Sequence, residues 1–146
     1  NKNFTMAGTG VTTSDECATV FNEFKLGNSL RYLVFKLSDN LEEVVVEHQG
    51  ARDATYESFL EHFPENDCRY AVYNVEYHTD EDGDRSKIAF YLWAPDTAKT
   101  KSKMLYAGTK DTLKKALQGL QVEIQGTDLS EVDLETVIAK CRSISK

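Results

Sequence analysis

The chain has 146 residues, of which 40% are hydrophobic and 28% charged, and its formal net charge at pH 7 is -7. This length and composition predict one folded domain, over residues 11–146, and exclude a disordered chain. The acidity excludes a general nucleic-acid-binding protein, and no apolar run approaches the roughly 18 residues that a transmembrane helix needs.

The first ten residues, NKNFTMAGTG, predict a flexible segment over residues 1–10, because they are polar and lack the apolar stretch of a secretory leader. Met6 is a candidate for the native start, which would make residues 1–5 a remnant added ahead of it. The three cysteines are odd in number and widely spaced, which indicates reduced, buried thiols in a cytoplasmic protein.

A first helix is predicted between Thr13 and Gly27. Thr13 and Glu16 have the spacing of a capping box, in which two side chains reciprocally bond backbone amides, and the glycine at the far end stops the helix. Four apolar residues recur on one face at helical spacing: Cys17, Val20, Phe21 and Phe24. We expect this face to pack against the core.

A hairpin and a short helix are predicted next. Segments 30–37 and 43–48 are rich in β-branched and aromatic residues, and a Ser-Asp-Asn turn separates them. Segment 55–63 has the apolar spacing of a short helix, which Pro64 closes.

A second hairpin is predicted from strands 69–77 and 87–93, joined by an acidic turn at 78–84. Both strands carry aromatic residues on both faces, as expected of central strands that are covered on two sides.

The last third of the chain predicts a long helix to about residue 120, a short strand at 122–125 and a closing amphipathic helix. The apolar face of that last helix consists of Leu134, Val137, Ile138 and Cys141. The order of elements predicts a mixed α+β fold (broadly α/β), in which helices flank both faces of a central mixed sheet of about five strands.

No pattern in the sequence supports an enzyme, a metal site or a cofactor. The nucleophile-elbow, phosphate-loop and dinucleotide-binding motifs are absent. His48, His62 and His78 lie on different predicted elements and are expected on the surface. The acidic stretch 80–84 has its glycine in the wrong place for a calcium loop, so a solvated hairpin turn explains it better.

The segment KTKSKMLYAGTKDTLKKAL, residues 99–117, concentrates positive charge, with six lysines and one acid in an acidic chain. On a helix, Lys103, Lys110 and Lys114 form one row, and Gly108 marks a place where the helix is expected to bend. An inward stripe is formed by Ala98, Leu105, Leu113, Ala116, Leu117 and Leu120. The row is either a solvated lysine face or a binding surface for an acidic partner, and its nearly uniform sign favours the latter.

Several long segments of the chain are similar to the ADF/cofilin family. They are DCRYAVYNVEY (67–77), RSKIAFYLWAPDTA (85–98), KSKMLYAGTKDTLKKALQG (101–119), VEIQGTDLSEV (122–132), TGVTTSDEC (9–17), FNEFKLG (21–27) and LRYLVFKL (30–37). The resemblance covers nearly everything from Thr9 to Lys140. It implies the ADF-homology fold, in agreement with the predicted elements, and a non-enzymatic protein that binds actin.

The resemblance implies binding of actin monomers and filaments, preferentially in the ADP state, with severing and depolymerisation of filaments. Carried over by motif, the contacts shared by monomer and filament are Thr9, Gly10, Val11, Lys101, Lys103, Met104, Asp111, Lys114 and Lys115. Contacts made only in the filament are implied for Arg85 and Lys87, and for Lys140 and Arg142 in the last helix.

That last helix departs from the family pattern. Ala139 stands where the family often has an acid, and Ser143 stands where a later basic residue is expected, with Arg142 beside it. Thr9 occupies the place of the serine whose phosphorylation regulates the family, which makes it the candidate phosphorylation site.

The alternatives left open are a non-severing relative similar to coactosin, a monomer-sequestering protein, or a phosphoinositide-binding module that uses the basic helix. We expect a monomeric protein of the cytoplasm and the actin cytoskeleton, with nuclear localisation as an extension.

Overall fold

The computed structural model describes residues 8–27 and 29–144, and over that range six strands form one mixed sheet. The strands are β1 Thr12–Thr13, β2 Leu30–Leu37, β3 Glu43–Ala51, β4 Arg69–Thr79, β5 Gly83–Trp93 and β6 Val122–Gly126. Their order across the sheet is β1-β3-β2-β4-β5-β6. The inner pairs are antiparallel, whereas β1 and β6 join the two edges in parallel register.

Helices cover both faces of this sheet. They are α1 Asp15–Lys25, α2 Tyr56–Leu60, α3 Thr100–Ala116 and α4 Leu134–Ile144, with a 3-10 turn at Leu129–Glu131. One buried cluster joins a face of the sheet to α1 and α3, and a second joins the other face to α2 and α4. The central strands are therefore buried on both sides, and the predicted fold class is confirmed.

The amino-terminal end of α1 differs from its prediction. Thr13 pairs with Val44 in β1, so it belongs to the sheet and the N-cap of α1 is Ser14 instead. The capping box of Thr13 and Glu16 was therefore wrong. A strand of two residues has no periodicity to detect, which is why about five strands were expected rather than six.

The hairpin between β4 and β5 is longer and tighter than expected. Both strands extend into the acidic segment, and Gly83 adopts a φ of 73° that lets the chain reverse there. The acidic segment is a hairpin turn, as interpreted, but residues 83 and 84 belong to β5 and the turn itself spans 80–82. Residues 1–7 lie outside the described part of the chain. The candidate start at Met6 and the expected flexibility of that segment therefore stay predictions.

The cysteines match their prediction more closely than two of the histidines do. All three cysteines are buried and none forms a disulfide bond, as expected. The rings of His48 and His62, which were expected as separate surface residues, stack with centroids 4.1 Å apart. Among the described residues, no group of three or more His, Cys, Asp or Glu side chains could hold a metal, and no described helix is long and apolar enough to cross a membrane.

Buried hydrogen bonds attach the middle of α3 to the sheet. The hydroxyl of Tyr70 donates to the carbonyl of Tyr106 at 2.5 Å, and the Tyr106 hydroxyl accepts from the Leu37 amide at 3.0 Å. Nearer the helix start, the Ser102 hydroxyl donates to Asp67 at 3.1 Å. These bonds fix the rotation of α3 about its axis, and therefore fix which residues it exposes.

α3 is shorter than predicted, although it runs without interruption through Gly108. Leu113 is buried as expected, whereas Ala98 and Leu120 lie beyond the helix ends. Tyr106, Thr109 and Thr112 are buried on the same face. Polar residues were not counted in the inward stripe, so it missed these three.

A single carboxylate of β6 binds two lysines of α3. Glu123 accepts from Lys110 Nζ at 2.7 Å and from Lys114 Nζ at 2.5 Å, and Gln125 contributes a third bond at 3.2 Å. Partial burial alone would raise the pKa of Glu123, but the hydrogen bonds from the two lysines and Gln125 outweigh it and lower that pKa to about 2. Glu123 is therefore ionised wherever the protein is folded near neutral pH.

We expect Glu123→Gln to lower the free energy of unfolding at pH 7 by about 1–2 kcal/mol, because two half-buried ammonium groups lose their shared anion. The folded pKa of Glu123 lies below the unfolded value, so this contribution is complete above about pH 4.5 and is lost as the pH falls towards 2. Urea denaturation at pH 7 and pH 3 would measure it. Glu81→Gln, which removes an exposed carboxylate from the hairpin turn, is the control. An equal loss at both pH values would contradict this account of the ion pair.

Candidate functional site

The exposed face of α3 carries a narrow strip of small and apolar residues with charge at one end. We call it the α3 strip, and it consists of Met104, Ala107, Gly108, Asp111 and Lys115, which lie on one side of the helix and are all exposed. Met104 is 68% exposed and supplies the large apolar side chain of the strip. Leu105, which was expected to share the anchoring, instead packs partly into the core.

The lysine row lies along one flank of the α3 strip. Lys110 and Lys114 lean towards β6 and Glu123, and Lys103 donates to the carbonyl of Asp96 at 3.3 Å. The three lysines of the row are therefore half-buried, and each has a hydrogen-bond partner. Once the carboxylate of Glu123 is included, the charge on this face is no longer uniformly positive. The exposed lysines of α3 are Lys101 and Lys115.

The amino-terminal segment forms the opposite flank of the α3 strip. Val11 is buried in the core between α1 and α3, and the Thr12 amide donates to Glu42 at 3.0 Å, so the chain is fixed there. Immediately before it, the Thr9 hydroxyl lies 2.9 Å from the hydroxyl of Thr109 on α3. The residues carried over from the family at Thr9, Gly10 and Val11 therefore adjoin those carried over on α3.

A second charged surface lies on the other side of the sheet. Arg85 and Lys87 alternate onto the same face of β5 as buried Ala89 and Tyr91, which is the face that α4 covers. Burial raises the pKa of the Cys141 thiol in α4, and the Lys87 ammonium partly opposes that shift, which places the lysine close to this helix. Together with exposed Lys140 and Arg142, these residues form what we call the hairpin–α4 surface.

Arg142 connects the two parts of the hairpin–α4 surface. Its Nε and Nη2 atoms donate to the carbonyl of His78 at 3.2 and 3.1 Å, which joins α4 to the end of β4. Arg85 is likewise paired, with Asp82 in the turn at 2.9 Å. The two departures from the family pattern, Ala139 and Ser143, line an open cleft of about 820 Å³ between the turn and α4.

The carried-over residues therefore separate into two surfaces on opposite faces of one sheet. The structure brings together Thr9, Met104, Asp111 and the lysines of α3 on one side, and Arg85, Lys87, Lys140 and Arg142 on the other. Sequence reasoning missed Glu123. Its position between the buried Val122 and Ile124 was the available signal, because alternation in a strand turns it towards the opposite layer, where α3 lies.

The chain is similar to known proteins over almost its whole length. Residues 10–142 match the family described as cofilin/tropomyosin-type actin-binding protein. Actophorin of Entamoeba histolytica is 52% identical over 137 residues, covering 94% of this chain and 99% of actophorin. The crystal structure of Streptomyces griseoflavus cofilin has 46% identity and a TM-score of 0.85, over 92% of this chain and 98% of that one.

One structure with lower sequence identity resembles this chain in its fold alone. Coactosin from Entamoeba histolytica has a TM-score of 0.78 over 94% of this chain and 98% of that one, at 19% identity. The family match, by contrast, spans almost the whole chain, which confirms the predicted resemblance and the prediction of a non-enzymatic actin-binding protein. The chain belongs to the cofilin/tropomyosin-type actin-binding proteins of the ADF/cofilin family.

Proposed function

We propose that this protein binds actin monomers and filaments, preferentially in the ADP state, and that it severs and depolymerises filaments. The observation that carries this proposal is the presence of two charged surfaces on opposite faces of one rigid sheet. A protein with one such surface can hold one actin subunit, whereas a protein with two can bridge neighbouring subunits of a filament.

The α3 strip is the proposed surface for actin monomers. Met104 supplies an exposed apolar anchor, and the adjacent lysines supply positive charge towards an acidic partner. Lys101 and Lys115 are the cations most available to a partner, because Glu123 already binds Lys110 and Lys114. Asp111 lies between these two lysines along α3 and can accept hydrogen bonds from actin.

The hairpin–α4 surface is the proposed contact with the neighbouring subunit. Binding through both surfaces favours the filament conformation that fits them both, and the binding free energy shifts the filament towards that conformation. Boundaries between decorated and bare filament then join two unlike conformations, and breaks are expected there. The role of this protein is mechanical and involves no bond chemistry.

Thr9 is the proposed site of regulation. Thr9 is an exposed residue beside the α3 strip, and its hydroxyl bonds Thr109. A phosphate there would add about 1.5 to 2 negative charges facing an acidic partner, and would also occupy the oxygen that now bonds α3. Phosphorylation of Thr9 would therefore weaken actin binding.

We infer that the protein acts as a monomer in the cytoplasm, on the actin cytoskeleton. Entry into the nucleus stays a prediction. An exposed α3 strip supports a monomer, because self-association through it would cover the residues that actin needs.

Charge reversal tests the assignment of the two surfaces. We expect Lys101→Glu with Lys115→Glu to weaken binding to both monomers and filaments by about tenfold or more, because exposed cations would become anions facing acidic actin. We expect Lys87→Glu with Lys140→Glu to weaken filament binding alone. Fluorescent-monomer titration and filament pelleting measure the two affinities.

These two variants control for each other, because both replace two basic residues by two acids. Lys114 is avoided, since a glutamate there would face Glu123 and disturb the fold. Equal loss of monomer binding in both variants would contradict the separation into two surfaces.

Phosphoinositide headgroups are a second proposed ligand of the same face. Exposed Lys101 and Lys115 are each expected to contribute about 1 kcal/mol near an anionic membrane. Flotation with phosphoinositide vesicles at low salt, without actin, is expected to recover the wild-type protein and to leave the Lys101→Glu/Lys115→Glu variant behind. If the wild-type protein does not float under these conditions, this second proposal fails.

A further inference from the structure

Thr9 contacts α3 through both branches of its side chain. The hydroxyl lies 2.9 Å from the hydroxyl of Thr109, which is completely buried. The γ-methyl group lies over Gly108, at the point where a side chain of any other residue would begin. Two consecutive helix residues therefore form a docking site for one threonine, with a polar contact and a steric contact.

The steric contact leaves no room for a larger residue at position 108. A Cβ built on Gly108 would lie 2.7 Å from the Thr9 γ-methyl carbon, closer than carbon atoms approach without bonding. Threonine is β-branched, so rotation about χ1 moves the methyl group and the hydroxyl together. Thr9 cannot turn its methyl group away and keep its bond to Thr109.

The backbone limits where a displaced Thr9 could go. Val11 is 1% exposed in the core, and the Thr12 amide is bonded to Glu42, so the chain is held from residue 11 onwards. Gly10 has a φ of 84°, a conformation that other residues rarely adopt, and it lies between the fixed chain and Thr9. A side chain at position 108 would therefore displace Thr9 by rotation at Gly10 and leave the core in place.

We propose that Gly108 and Thr109 are positioning residues for actin binding, and that Gly108 and Thr9 form a size-matched pair. The glycine provides the space that the methyl group of threonine needs, and a serine at position 9 would need no such space. This inference rests on the proposed binding of actin by the α3 strip. Gly108, expected from the sequence to bend the helix, instead serves to seat the amino-terminal segment beside that strip.

A displaced Thr9 would change the surface that actin meets, because Thr9 adjoins the α3 strip. Gly108 belongs to the α3 strip itself, so a displaced Thr9 would either lie across Met104 and Asp111 or leave that flank empty. In both cases actin would meet a different surface from the one in the free protein. The pairing of residues 9 and 108 therefore affects affinity without changing any charge.

A double-mutant cycle at positions 9 and 108 tests this proposal. We expect Gly108→Ala to weaken monomer binding by about tenfold in the wild-type chain, but by no more than about twofold in a chain that already carries Thr9→Ser, because serine has no methyl group for the new Cβ to meet. Alanine is a better helix former than glycine, so Gly108→Ala is not expected to lower the thermal midpoint, and unfolding cannot account for weaker binding. Gly8→Ala, where the new Cβ meets nothing within 4 Å, is the matched control.

Amide hydrogen exchange provides a second readout that needs no actin. Residues 9–11 should exchange faster in Gly108→Ala and return towards the wild-type rate in the double variant. Wild-type binding and exchange in Gly108→Ala would overturn the proposal, as would a failure of Thr9→Ser to rescue it. If the wild-type protein does not bind actin, the proposed function fails, and the exchange rates alone then decide whether Gly108 positions Thr9.

Discussion

The attachment of α3 to the sheet decides which residues of that helix are exposed. Its buried side is fixed through Tyr106, whose carbonyl and hydroxyl both bond residues of the central strands, and its flank is fixed through Glu123. A helix held along its middle and its side cannot roll. The face left to solvent is therefore determined by the core, so that a packing arrangement sets the geometry of a binding surface.

The same sheet separates two surfaces that a filament-binding protein must keep apart. Rigid strands buried on both faces carry α3 on one side and α4 on the other, so each surface has its own hydrophobic support. Arg142 holds the second surface together by joining α4 to the hairpin, which leaves Lys140 and Lys87 as its freer cations. The distance and orientation between the two surfaces are therefore fixed by the sheet.

The sequence predicted the elements with strong periodicity and missed those determined by tertiary contact. β2 was located at its observed bounds because its residues are nearly all apolar or aromatic. The two-residue β1 and the N-cap at Ser14 depend on pairing with β3, which no local pattern reveals. The lysine row was found by spacing, but its pairing was not, because Glu123 lies on another element. Residues of the hairpin–α4 surface came from family resemblance and had no pattern of their own.

We infer that two surfaces on one rigid domain strain a filament until it breaks. Imaging of single fluorescent actin filaments with this protein would show such breaks. We expect breaks along the filament length, most frequent at partial decoration, where boundaries between bare and decorated stretches are most numerous. Binding along the filament with no internal breaks at any level of decoration would contradict the claim.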